Sequence, residues 1–302
     1  MAVEKEIESF NHSSACITTS TFYKDWYSGE IRNPEKDSSK VRGDLALKTF
    51  KETIDNGYRL VVVDGGSCPE FLAAANELGV SCIVAKDSTM SPSRQQAFEI
   101  ASEIKGVEAI LWTEDSKLSL VQDCLPEILL PILRGDADIV VPHRTPESFA
   151  TYPNYQVVSE QKGNKKWNEI VRKFGFLKQD QPELDIYFGP KAWKNSPEIH
   201  NLFMTSYKLN HDGVALYGLT NLDAYLNATF DPVIAGLANG HRIASVDVDY
   251  KHPPEQTLVE KENPVFVLKR EKQLKDITIG TFEFCNYLKN ILTVKLEPKI
   301  KK

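Results

Sequence analysis

Long apolar runs are absent from this chain of 302 residues, and so is any excess of positive charge. No run approaches the ~18 consecutive apolar residues of a membrane-spanning helix, so no transmembrane segment is expected. Asp and Glu number 42 against 36 for Lys and Arg, a net charge of −6. A nucleic-acid binder usually carries a basic excess or stripe, so this balance argues against that partner. It leaves phosphate ligands open, because these need only local cations or backbone amides. Cysteine is sparse: Cys16, Cys68, Cys82, Cys124 and Cys285, with no CxxC spacing. An odd number without such pairs suggests neither a disulfide framework nor a zinc site. Cys16 and Cys82 sit in apolar runs and read as core fillers. A reducing, cytoplasmic setting is expected. The opening MAVEKEIESF is charged from its fourth residue, which is not the pattern of a secretory leader. Internal repeats, low-complexity linkers and glycines between residues 15 and 23 are also missing. What remains is ordinary globular composition, 41% hydrophobic and 26% charged, with material for one continuous domain.

The most informative stretch is residues 59–67, RLVVVDGGS. Four apolar β-formers end at an acid and two glycines. The run is too short for a helix and is flanked by turn signals, so it reads as a buried parallel strand entering a tight turn. In open α/β sheets ligands bind past the carboxyl ends of strands. That position makes Asp64 a candidate reader of a ligand's polar edge. Gly65 and Gly66 let the backbone bend and come close. The alternative is an ordinary strand-to-loop turn capped by an Asp.

Strand and helix then alternate. Strands are predicted at 15–18, 60–64, 81–85, 109–112 and 138–141, and helices at 45–56, 69–78, 93–104 and 118–133. Residues 32–42 read as a charged, Ser-containing loop, and 1–14 as a loose arm. Such alternation implies β-α-β units and a parallel sheet. The second half is less regular. It holds a polar helix around Trp167, a DIYFGP turn, a helix over 230–239, a strand over 242–250 and an amphipathic helix over 265–292, broken near Gly280.

Four sites carry candidate chemistry. The first strand opens into Thr19, Ser20 and Thr21, which puts Thr19 at a strand mouth. TEDSK, residues 113–117, follows the fourth strand. Carboxylates are the hard ligands that Mg²⁺ or Mn²⁺ prefers, so Asp115 is a metal candidate with Glu114 beside it. The alternative is a solvated acidic turn. Arg94, opening the helix after the third strand, is a fixed cation able to pair with phosphate; it also reads as a plain surface arginine. His252, in DYKHPPEQ, follows a late strand and is held by Pro253 and Pro254. A neutral imidazole there suits a metal or a phosphate, or a carbonyl in a buried loop. Lys251, Lys269 and Arg270 add basic groups nearby.

Together these motifs resemble the GT-A class of glycosyltransferases, above all the large inverting family that includes dolichol-phosphate-mannose synthases and polysaccharide synthases. VVVDGGS is similar to that family's VVDGGSTDGT segment, which implies that Asp64 contacts the base or ribose of a nucleotide. SRQQAFEIA resembles its ArN helix, which carries Arg94 to the nucleotide site. AILWTEDSK sits where the family has its metal-binding DxD motif, with Thr113 at the first acid and Asp115 at the second. GDADIVVPHR is similar to the strand that follows, and DIYFGP to part of the acceptor region. FDPVIAGLANGHRIASVDVDYKHP resembles the closing segment. There Asp231 matches the acid often used as catalytic base, and His252 a late histidine that can close the metal site. The resemblance covers about residues 15–256.

It implies an α/β fold: a GT-A-type, Rossmann-like sandwich with a mostly parallel central sheet and an irregular acceptor half. The catalytic domain would span 15–262, after an arm of 1–14 and before a helical extension of 263–302. The implied reaction moves a sugar from a nucleotide-diphosphate sugar to an acceptor hydroxyl, so the partners are a small-molecule donor and acceptor. Thr19, Asp64, Arg94 and Glu114 would surround the donor. Asp115 and His252 would hold Mn²⁺ or Mg²⁺, and Asp231 would be the base. Asp231 has a second reading as a helix N-cap, since Pro232 suits a first helical turn. Two other functions compete. A sugar-phosphate nucleotidyltransferase would want a glycine-rich loop after the first strand, which is missing here. A non-catalytic nucleotide- or sugar-binding relative fits the Thr at position 113. A dehydrogenase is disfavoured, because DGGSCPEF does not match the dinucleotide fingerprint.

Overall fold

Alternate residues of a strand face opposite sides of a sheet, and here both sides are covered. In the computed structural model, which describes residues 11–33, 36–207, 228–261 and 264–296, seven strands form one sheet. They are β1 (Ala15–Thr21), β2 (Arg59–Asp64), β3 (Ile83–Val84), β4 (Ala109–Trp112), β5 (Ile139–Arg144), β6 (Lys191–Lys194) and β7 (Ile243–Val248). Their order is β3-β2-β1-β4-β6-β5-β7. All pairings are parallel except those of β6, which runs antiparallel to β4 and β5. The helices are α1 (Ser38–Asp55), α2 (Pro69–Glu77), α3 (Met90–Glu103), α4 (Leu118–Asp123), α5 (Leu125–Leu133), α6 (Pro146–Phe149), α7 (Asn154–Lys173), α8 (Pro197–Met204), α9 (Asp231–Ala238), α10 (Pro254–Glu260) and α11 (Pro264–Leu296). The chain is α/β, with a mostly parallel sheet and a less regular second half. Among the described residues no helix is long and apolar enough to cross a membrane.

One face of the sheet carries Cys16, Val63, Ile110, Trp112, Ile139, Val141 and Trp193. It packs on Phe98 and Ala101 of α3, Trp167 of α7, Ile234 of α9 and Phe284 of α11. The neighbouring residues Ile17, Leu111, Val140 and Ala192 turn the other way, onto Leu120 of α4 and Leu125, Ile128 and Leu129 of α5. Ala46 and Phe50 of α1 and Phe71 and Ala75 of α2 gather with Val62. Each large aliphatic side chain so buried contributes about 1.5–3 kcal/mol. α11 places Ile277, Phe284 and Cys285 in this core.

Several boundaries differ from the sequence reading. β1 runs three residues past the expected end at 18, and β3 is only two residues long. α1 starts at Ser38, so part of the expected charged loop is helix. α3 starts at Met90. Its first turn absorbs Pro92, where the N–H would have no helical partner in any case. The single helix expected over 118–133 is two, divided at Cys124, with Pro126 in the first turn of the second. α11 passes through Gly280 unbroken. The expected loose arm lies outside the described residues up to residue 10. Beyond it His12–Ser14 forms a 3₁₀ turn, and His12 stacks on Tyr58 at 4.7 Å.

The order of the strands locates a site. From β1 the chain moves outward through β2 to β3, then returns to pair β4 against the other side of β1. Such a reversal leaves a crevice at the carboxyl ends of the two central strands.

Candidate active site

Two adjoining cavities occupy that crevice. The outer one, about 370 Å³, is lined by Ser20, Thr21 and Phe22 at the end of β1, Gly65 after β2, Ser88, Met90 and Arg94 at the start of α3, and Glu114 and Asp115 after β4. The inner one, about 250 Å³, reaches Lys117, Arg144, Tyr187, Phe188, Gly189, Thr229, Phe230, Glu260, Lys269 and Arg270. Arg42, Met90, Arg94, Trp112 and Glu114 belong to both. Among the predicted residues, Arg94, Glu114 and Asp115 therefore come together.

Glu114 stands at the junction. Burial works to raise its pKa, but Lys117 and Arg94 outweigh burial and hold it below the usual carboxylate range. Its position depends on Gly189 of the DIYFGP turn, where a methyl group would collide with the Glu114 carboxylate. Lys191 fixes that turn from beneath: its buried Nζ donates to the carbonyls of Ile186 (3.2 Å), Pro190 (3.2 Å) and Phe188. Burial pushes the Asp115 pKa up to about 6, against a hydrogen bond from Tyr23 and the charge of Arg42. Arg94 lies over the Trp112 ring at 4.6 Å. Arg144 is locked: Nε and Nη2 donate to Asp185 at 2.7 and 2.8 Å, and Nη1 to Glu160 at 2.5 Å.

Four predicted residues are placed otherwise. Thr19 is inside β1, 2% exposed, and lines neither cavity, because the strand extends past it to Thr21. Asp64 ends β2 as expected, but its carboxylate is turned into the loop. Oδ1 accepts from Thr21 Oγ1 at 2.8 Å and from Ser67 Oγ, and Oδ2 accepts from the amides of Gly66 and Ser67 at 2.8 and 2.9 Å. These bonds use its roughly four acceptor positions. They hold a turn in which Gly66 adopts a φ of 116°, and Ser67 Oγ accepts from the Tyr23 amide at 2.8 Å. Asp64 thus shapes the rim.

His252 does not join Asp115. It borders a separate groove of about 620 Å³ beside Pro253 and Pro254. Its Nδ1 is 2.9 Å from Thr257 Oγ1 and its ring is 4.4 Å from Tyr152. Burial, with Lys117 and Arg42, lowers its pKa to about 2. Asp231 is 3% exposed and lines neither cavity, although Thr229 and Phe230 line the inner one. Its charge is felt by Tyr207 and Cys285. Phe230, not Asp231, occupies the N-cap position of α9, and Asp231 lies in the first turn. Among the described residues no three His, Cys, Asp or Glu side chains gather as a metal cage.

Sequence reasoning missed Phe22, 57% exposed beside Gly65, and Arg42. An aromatic just past the carboxyl end of a strand was the available signal for the first. Arg42 carries no such signal, because the charged run 32–42 reads as loop in the sequence while the helix starts at Ser38.

No protein-family model and no curated protein sequence matches the chain. Among solved structures it is similar to glucosyl-3-phosphoglycerate synthase of Mycobacterium tuberculosis, at 10% identity over 92% of this chain and 84% of that one, with a TM-score of 0.49. A structure of that synthase with Mn²⁺, uridine diphosphate and glucosyl-3-phosphoglycerate gives 11% identity over 89% and 82%, with a TM-score of 0.42. A mycobacterial protein structure gives 12% identity over 89% and 77%, also with a TM-score of 0.42.

Proposed function

We propose that the chain is a GT-A-type glycosyltransferase that takes a sugar from a nucleotide-diphosphate donor and passes it to the hydroxyl of a small-molecule acceptor. The observation that carries this reading is the crevice at the carboxyl ends of β1 and β4. There an exposed aromatic, Phe22, a fixed cation, Arg94, and two acids, Glu114 and Asp115, line one continuous space. A nucleobase stacks on an aromatic face, a diphosphate pairs with guanidinium, and an acid at the junction meets the reacting sugar.

The donor set fits a divalent ion of the kind that keeps few protein ligands. Mg²⁺ is commonly held by one or two carboxylates together with substrate phosphates. Asp115 would be the protein ligand, with Glu114 beside it. When bound, such an ion neutralises charge on the leaving diphosphate.

The chain's own groups carry the transfer. Lys117 and Arg94 keep Glu114 ionised, so Glu114 is the base of the proposed step. The acceptor oxygen bonds to the anomeric carbon and its proton passes to Glu114. The bond from that carbon to the diphosphate oxygen breaks, and its electron pair leaves with the diphosphate. The acceptor takes the part of the inner cavity lined by Thr229, Phe230 and Arg270.

A thermal-shift panel of nucleoside diphosphates and their sugars, with and without Mn²⁺, tests the reading. Ligand at a hundred times its dissociation constant stabilises by about 2.7 kcal/mol. At least one base should raise the melting temperature as diphosphate or sugar diphosphate. A panel that moves nothing overturns the reading.

A further inference from the structure

Arg42 reaches the crevice from α1, a helix that contributes nothing else to it. Its position is built. Gly43 leaves no room for a side chain, because a methyl group there would strike the Trp26 ring. Val41, Leu45 and Ala46 are buried. The Tyr23 hydroxyl lies 3.3 Å from the Arg42 carbonyl. The helix is thereby held against residues 23–26, at the mouth of the site.

Among the described residues the guanidinium held there has no hydrogen-bond partner. Its Nε is buried with no hydrogen bond, and among the described residues no carboxylate comes within ion-pair distance of it. Glu260, Asp115 and Glu114 act on it only through space. Arg144 of the same cavity is instead forked onto Asp185, and Arg270 lies 3.2 Å from Glu160. Lys117 resembles Arg42. Its Nζ lies over the rings of Tyr250, Phe188 and Tyr152 at 4.7, 5.3 and 5.7 Å, and among the described residues no carboxylate is within ion-pair distance of it. A buried donor left unsatisfied is costly, and an anionic ligand removes the cost.

We propose that Arg42 forms, with Arg94 and Lys117, a phosphate seat that holds a diphosphate without help from a metal ion. The planar fork of a guanidinium matches two phosphate oxygens at once. These three stand among six cations and four acids that line the two cavities, a positive balance that favours a ligand carrying several negative charges. The seat deepens the glycosyl-transfer reading and rests on it. It gives the leaving diphosphate fixed positive charge from the chain itself.

Inorganic pyrophosphate, titrated calorimetrically in EDTA, tests the seat without base or sugar. The wild-type chain should bind it. Arg42→Ala should weaken binding at least tenfold, and Arg42→Lys, which keeps the charge but loses the fork, should fall between. Lys251→Ala, which removes the same charge from the separate groove, should bind within twofold of wild type. Melting curves show that each variant is folded, and Arg42→Lys decides the matter if Arg42→Ala is not. Wild-type failure to bind pyrophosphate overturns the seat, as does equal binding by wild type and the folded Arg42 variants. Loss of binding in Lys251→Ala as large as in Arg42→Ala reduces the effect to net charge and overturns it too. The nucleotide panel is independent. If it moves nothing while pyrophosphate binds through Arg42, the glycosyl-transfer reading fails and the seat stands.

Discussion

Asp64 accepts hydrogen bonds from Thr21, Gly66 and Ser67 and so ties the end of β1 to the turn after β2. Removing the carboxylate leaves buried donors unsatisfied, at about 1–3 kcal/mol. Asp64→Ala should therefore lower the free energy of urea unfolding by at least that amount. The folded fraction should still bind a nucleoside diphosphate to within a few fold; a large loss of affinity at unchanged stability would return Asp64 to the ligand. His252 allows a test through pH. Burial lowers its folded pKa to about 2 from the ordinary 6.5. Between those values the unfolded chain binds a proton that the folded chain refuses. Stability is complete above pH 6.5 and is lost as pH falls through the window, by up to about 1.4 kcal/mol per pH unit. Unfolding measured at pH 6.5 and pH 5 should show wild type losing about 2 kcal/mol more than His252→Asn. Equal losses would mean that the ring is already open to water.

At the scale of elements, the DIYFGP turn between α7 and β6 is sensitive to small change. Gly189→Ala puts a methyl group where the Glu114 carboxylate lies. One of the two must move, and a misplaced catalytic group of about 1 Å costs on the order of 10²-fold in rate. Turnover should fall by that order while the melting temperature shifts by only a few degrees. A variant as active as wild type would show that Glu114 does not act from its present position. The turn's composition was legible in the sequence; its contact with Glu114 was not, because the two segments lie far apart in the chain. The same distinction runs through the fold. The runs at 60–64 and 109–112 were readable as strands, since fully buried parallel strands are continuously apolar. The polar end of β1, Ser20–Thr21, carries no such signal, and that misplaced Thr19. Arg42 was lost for a similar reason: α1 begins with SSKVRGD, whose charges mask a helical face resting on Trp26. Asp115 and Arg94, which line the crevice, sit at a strand end and a helix start, both of which are marked locally in a sequence. His252 was read from the same kind of mark, yet its loop folds against Tyr152 and Thr257 instead.

Considered as a whole, the molecule separates two acids, Glu114 and Asp231, which the sequence reading expects beside the donor and as the base. The reversal of strand order between β1 and β4 puts the crevice beside the segment that follows β4, which carries Glu114. Asp231 begins α9, whose Val233 and Ile234 belong to the core on the α3, α7 and α11 side of the sheet. Its carboxylate influences Cys285 of α11 from that packed position. If catalysis follows the crevice, Glu114→Gln should keep nucleotide binding and lose about 10²–10⁴ in turnover, the contribution of a general base. Asp231→Asn should keep turnover within a few fold and change stability instead, since it removes a negative charge from the first turn of a helix, worth about 0.3–1 kcal/mol, rising toward 2 in partly buried settings. Single-turnover rates and unfolding curves on both variants separate the assignments. If Asp231→Asn is the slow one and Glu114→Gln is active, the base works from α9, and the acceptor must enter from the α9 side of the inner cavity, past Thr229 and Phe230.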